Sequence, residues 1–104
     1  MADKYALIIA VESYQNKRIT PVAYAENDAH GIADILREHG YVAELLLSAR
    51  ATKTIIESRF RYYTGLMGKE DSFILFYAGH GFSENDRNYI TCFDTQLCDL
   101  AKTS

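Results

Sequence analysis

Short, unbroken apolar runs alternate along this chain with stretches whose apolar residues recur at helical spacing. The run Tyr5-Ala-Leu-Ile-Ile-Ala-Val11 is continuous and brief, the pattern of a strand buried on both faces of a parallel sheet. Glu12 to Tyr24 is polar and holds the only proline, Pro21, so it reads as a loop leaving the strand's C-terminal end. From Glu26 to His39, apolar Ala29, Ile32, Ala33, Ile35 and Leu36 predict an amphipathic helix, with Asn27 or Asp28 as its cap and Gly40 as the left-handed residue closing it. Tyr41 to Leu47 returns to the buried-strand pattern. Ser48 to Thr52 offers a cap for a second helix whose stripe is Ile55, Ile56, Phe60, Tyr63 and Leu66, with Gly65 and Gly68 weakening its end. Lys69-Glu70-Asp71 is a turn, Ser72 to Tyr77 a third buried strand, and Ala78-Gly79-His80-Gly81 interrupts it. Ser83 to Asn88 reads as a polar tip, Tyr89 to Phe93 as a short strand, and Asp94 to Ser104 carries no decisive pattern.

A β-α-β-α-β order joined by right-handed crossovers predicts an α/β fold: a parallel sheet with helices on both faces and ligands at the strands' C-terminal ends. Gly79 to Phe82 stand at such an end. At 104 residues the chain is one domain at most, and 48% apolar with 24% charged residues is the composition of a folded globular protein. Its formal charge of −3 is dispersed and leaves no basic stripe, which argues against nucleic acid as a partner. No apolar run approaches the roughly 20 residues needed to cross a bilayer, and Met1-Ala2-Asp3-Lys4 has no signal-peptide pattern. A cytoplasmic location with no membrane partner is the expectation. Cys92 and Cys98 are too few for a disulfide framework and are expected to be free, buried or half-buried thiols.

The chemistry concentrates in Tyr77-Ala-Gly-His80-Gly81-Phe82. A histidine between glycines just past a rigid strand has backbone freedom, open space beside it and a pKa suited to proton transfer. The Gly81 amide can point at a developing oxyanion. This combination suits acyl transfer; the alternative is a turn histidine that merely satisfies a carbonyl.

Strand Tyr5-Ala-Leu-Ile-Ile-Ala, the segment Ala25-Glu-Asn-Asp28-Ala29 and strand Phe73-Ile-Leu-Phe-Tyr-Ala-Gly-His80-Gly81 together resemble the caspase, metacaspase and prokaryotic caspase-like family. The resemblance spans most of the chain. It implies a caspase-like three-layer α/β/α sandwich with a mainly parallel sheet, of which residues 1–104 are the N-terminal part of a single peptidase domain, truncated before its fourth strand. It also implies a cysteine endopeptidase working by a Cys-His dyad: His80 is the catalytic histidine, Gly81 supplies an oxyanion donor, and no cofactor or metal is needed. In this family the cysteine lies about 50 residues beyond the histidine, outside this chain, so Cys92 and Cys98 are not expected to be nucleophiles and this chain alone is expected to be inactive. Nor do they have the paired short spacing of a zinc site.

The expected partners are a protein or peptide substrate, the C-terminal half of the same domain bearing the cysteine, and a homo-oligomer through the apolar edge that the third strand would leave open. Uncharged Val22 and Ala23 stand where aspartate-specific caspases carry an arginine, and Arg18 is out of step. The resemblance then tilts toward a basic P1 residue, with Asp28 and Glu26 as acids available to it or as ordinary helix N-terminal acids. His30, His39, the Phe60-Tyr62-Tyr63 cluster and the acidic Glu84 and Asp86 have ordinary readings in helix dipole, packing and solvation. Two competing functions remain: a noncatalytic caspase-fold regulatory or scaffolding module, and a flavodoxin- or receiver-like ligand-binding domain, which Glu12-Ser13-Tyr14 disfavours by offering no glycine-rich cradle.

Overall fold

Six consecutive residues, Ala6 to Val11, have no exposed surface at all, and the rest of the molecule is arranged to bury them. In the computed structural model, which describes residues 3–84, 87–94 and 97–98, they lie on β1, Lys4–Ala10, and its exit. α1 spans Ala25–Glu38, β2 Val42–Leu47, α2 Lys53–Leu66 and β3 Ser72–Ala78. β1 is central in a parallel sheet of order β2-β1-β3, in register Leu7 to Glu44 on one side and Leu7 to Leu75 on the other. Pairing on both edges and helix cover on both faces is why β1 reads as an unbroken apolar run.

The two faces are built differently. Ala25, Ala29 and Ala33 of α1 lie against Ala6, Ile8 and Ala10, small residues that let the helix approach closely. The opposite face packs Leu7, Ile9 and Leu46 against Ile56, Phe60 and Tyr63 of α2, and each fully buried aliphatic there contributes about 1.5–3 kcal/mol. Phe60 meets Phe73 edge-on at 5.6 Å. Ile35, expected in the core stripe, is 54% exposed, and Leu66 is also exposed. β3 is only half-buried, with Leu75 exposed on it, because among the described residues it pairs on one edge alone.

Helix ends follow the predicted chemistry in part. Thr52 caps α2 by accepting from the Ile55 amide at 3.4 Å, and Gly40 closes α1 at φ 87°. Asn27 and Asp28 do not cap α1; they lie inside it, and the residue before it is Tyr24 at φ 66° with no side-chain cap bond. The entry to α1 is fixed instead by tertiary contacts. Glu12 N–H donates to the Ser48 hydroxyl at 3.3 Å, Ser48 donates to the Glu26 carboxylate, and Glu26 N–H donates to the Glu12 carboxylate at 3.3 Å. This loop of bonds joins the exits of β1 and β2 to the first turn of α1.

A second polar cluster ties α2 to β2. Arg59 donates to both oxygens of Glu44, at 2.7 Å to Oε1 and 2.9 Å to Oε2, and the Tyr63 hydroxyl donates to Oε1 at 2.6 Å. The Arg59 guanidinium lies 4.4 Å from the Tyr62 ring centre. Burial pushes the Glu44 carboxyl up, but the hydrogen bonds from Arg59 and Tyr63 outweigh it and hold it below its ordinary range.

Beyond β3 the chain turns into an antiparallel unit of β4, Gly81–Glu84, β5, Arg87–Thr91, and β6, Leu97–Cys98. The segment from Gly81 to Glu84, read from sequence as loop and polar tip, is thus strand, paired Gly81 to Ile90 through Glu84 to Arg87. The short strand expected at Tyr89 to Phe93 is present as β5, which begins and ends two residues earlier. The expectations for Asp86, for the Glu84 and Cys98 side chains and for the chain end Ala101 to Ser104 lie outside the described residues. Among the described residues no helix is long and apolar enough to cross a membrane.

Candidate active site

In a sheet of order β2-β1-β3 with α1 on one face and α2 on the other, the chain reverses its winding direction at the boundary between β1 and β3. In sheets of this kind that boundary, beyond the strands' C-terminal ends, is where ligands bind. Two segments meet there: the loop leaving β1, and Gly79-His80 leaving β3. They are joined where Val11 N–H donates to the Ala78 carbonyl at 2.9 Å.

His80 sits between β3 and β4 with its side chain exposed. Its Nε2 is 2.7 Å from the carbonyl oxygen of Thr20. A carbonyl only accepts, so Nε2 carries the proton, and in the neutral ring Nδ1 is the nitrogen left with a lone pair. Thr20 belongs to the polar loop after β1, which folds back on itself through Val22 N–H to the Glu12 carbonyl at 2.8 Å. The backbone of His80 is held as well. Its N–H donates to the Tyr14 hydroxyl at 2.8 Å, and the Tyr77 hydroxyl donates to its carbonyl at 2.8 Å.

Gly79 owes its identity to this packing. A Cβ there would lie 2.4 Å from the Tyr77 hydroxyl, closer than such atoms approach, and a tight 3.1 Å from that of Tyr14. Its φ is not in the left-handed region; of the described glycines only Gly40 is. The expected backbone freedom at Gly79 is therefore not what the position uses. Gly81, the candidate oxyanion donor, opens β4 opposite Ile90, one residue beyond the imidazole.

A family profile of the caspase domain matches residues 3–103. The chain belongs to the caspase-domain family of peptidases. Among solved structures, one from Geobacter sulfurreducens aligns with TM-score 0.84 at 23% identity, over 97% of this chain and 44% of the other. That likeness establishes the shared fold, and this chain spans less than half the length of that protein. No match was found among curated proteins.

Within this caspase domain, the remaining sequence candidates fall apart spatially. Cys92 is fully buried, packed with Tyr14, Ala51 and Ile56. It is disulfide-bonded rather than free, which corrects the expectation of a free thiol: a sulfur seated in the core is out of contact with solvent, and bonded it has no thiolate to offer. Glu26 is engaged by the Ser48 hydroxyl, whereas Asp28 is exposed and lines a cleft of about 460 Å³ with Asn27, Gly31, Ile32, Ile35 and Phe76. That cleft flanks α1 and β3, and its lining does not include His80. Among the described residues no group of three or more His, Cys, Asp or Glu is placed to hold a metal ion.

Three participants escaped the sequence reading: the Thr20 carbonyl and the Tyr14 and Tyr77 hydroxyls. A backbone carbonyl leaves no trace in residue identity. Tyr14 left one trace, a large aromatic within the polar first half of the loop after β1.

Proposed function

We propose that this caspase domain is part of a cysteine endopeptidase in which His80 serves a thiol contributed from outside residues 1–104. The observation that carries the reading is the exposed imidazole at the switch point of the sheet, with Nε2 committed to the Thr20 carbonyl and Nδ1 left for proton transfer. The incoming cysteine attacks the scissile carbonyl as a thiolate and forms a thioester, while the imidazole delivers a proton to the leaving amine. In the second half, the imidazole takes a proton from water as it attacks the thioester. The Gly81 amide stabilises the tetrahedral oxyanion in both halves. The Thr20 carbonyl orients the ring by accepting from Nε2–H, the orienting part an acidic third residue plays in other hydrolases.

The fourth strand of the sheet, with the cysteine at its end, is supplied by the C-terminal half of the domain and pairs with the open edge of β3. Of the two acids considered for a basic P1 side chain, Glu26 is bound to Ser48 and Asp28 is exposed in a cleft whose lining does not include His80.

A noncatalytic caspase-fold scaffold is the competing reading. One experiment separates the two. In the full-length protein, His80→Ala is expected to abolish turnover of a fluorogenic peptide panel while the unfolding midpoint stays near wild type, since the side chain is exposed. Turnover by the His80→Ala variant, or none by the wild type across acidic, basic and apolar P1 residues, would overturn the peptidase reading.

A further inference from the structure

We infer that Tyr14 and Tyr77 are positioning residues that clamp the His80 peptide and so aim its imidazole. His80 lies between the last residue of β3 and the first of β4, and neither ladder includes it. Among the described residues its N–H and carbonyl therefore have no strand partners, and the two phenols take their place, each at 2.8 Å.

The direction of every bond follows from counting protons. A phenol has one O–H, and that of Tyr77 is committed to the His80 carbonyl. In the 3.4 Å contact between the two hydroxyls, Tyr14 must then donate and Tyr77 accept. The result is a closed ring: His80 N–H to Tyr14, Tyr14 to Tyr77, Tyr77 to the His80 carbonyl. Removing either hydroxyl opens the ring and strands a polar group of the His80 backbone.

The clamp is anchored in rigid material. Tyr14 is 1% exposed and packed among Leu46, Ala51 and Ile56, so its hydroxyl is a fixed reference point brought to the end of β3. Its ring lies 5.5 Å from the His80 imidazole, tilted by 31°. Gly79 completes the device by leaving space for the Tyr77 ring to fold back over the peptide. A peptide free to rotate would swing the imidazole off the Thr20 carbonyl, and a displacement of about 1 Å at a reacting group costs on the order of a hundredfold in rate.

The catalytic consequence rests on the peptidase reading; the positional one does not, and the test keeps them apart. Tyr14→Phe and Tyr77→Phe are made in the full-length protein, which keeps both rings and removes one oxygen each. Urea unfolding checks the fold, nitrogen NMR reports the tautomer and titration of His80, and steady-state kinetics on fluorogenic peptides give kcat and KM separately. The wild type is expected to show the Nε2–H tautomer. Each variant should shift His80 toward a mixture of tautomers and lower kcat about tenfold or more, with KM changing by less than about twofold. Folded variants with wild-type tautomer and kcat would overturn the inference. A wild type without turnover would refute the peptidase reading, and the tautomer comparison would still decide the clamp. Should Tyr14→Phe unfold, Tyr77→Phe, half-buried at the strand end, supplies every readout.

Discussion

Replacing Glu44 by glutamine keeps the size of the side chain and removes its charge at the centre of the contact between β2 and α2. The carboxylate accepts from Arg59 at both oxygens and from the Tyr63 hydroxyl, with side-chain exposures of 23% for Glu44 and 34% for Arg59. Hydrogen bonds to charged groups contribute about 1.5–3 kcal/mol when shielded, and fully exposed ion pairs about 0–1 kcal/mol. Solvent reaches both partners here, so the upper figure must be discounted, and Glu44→Gln is expected to cost about 1–2 kcal/mol at neutral pH. The pH dependence has a definite sign. Because Arg59 and Tyr63 hold the folded carboxyl below its ordinary value of 4.5, its contribution is complete above that value and is lost as pH falls through the folded pKa. Urea unfolding of wild type and variant, repeated from neutral to acid pH, should show the gap between them closing below 4.5. An Arg59→Met partner in a double-mutant cycle should return a coupling of about 1 kcal/mol. A glutamine variant with an unchanged midpoint, or a deficit that persists undiminished in acid, would refute the argument.

Gly79→Ala places a Cβ 2.4 Å from the Tyr77 hydroxyl, so the Tyr77 ring must swing away from His80; a loss of about 1–3 kcal/mol by urea unfolding should accompany a fall in kcat. An alanine accommodated without either loss would mean that the tyrosine packing is not what Gly79 serves. Gly40→Ala meets no atom within 4 Å but sits at φ 87°, so its cost should be conformational alone, about 1–2 kcal/mol. A midpoint equal to that of the wild type would contradict it.

The sheet strands and both helices were legible because their signal is local. β1, β2 and β3 are apolar runs, α1 and α2 carry the helical repeat, and Thr52 and Gly40 mark helix ends by residue type. What was illegible depends on contacts distant in sequence. β4 exists through its pairing with β5, and Gly81-Phe-Ser-Glu84 has too little apolar content to announce a strand. The entry to α1 is set by Glu12 and Ser48 rather than by Asn27 or Asp28. His80 was found by its glycine neighbours, yet its orientation comes from Thr20 and Tyr14, 60 and 66 residues earlier. The reason assigned to Gly79 was wrong in kind: space for a neighbour's ring, not freedom of its own backbone.

Of the three described strands of the parallel sheet, the earliest in the chain is the one the other two need. β2 and β3 have no hydrogen-bonded contact with each other within that sheet, so Lys4–Ala10 must wait, apolar and unsatisfied, until its neighbours have been synthesised. Trimming or obstructing those seven residues would thus not shorten the sheet by one member but dissolve it, and with it the seam at which His80 is displayed.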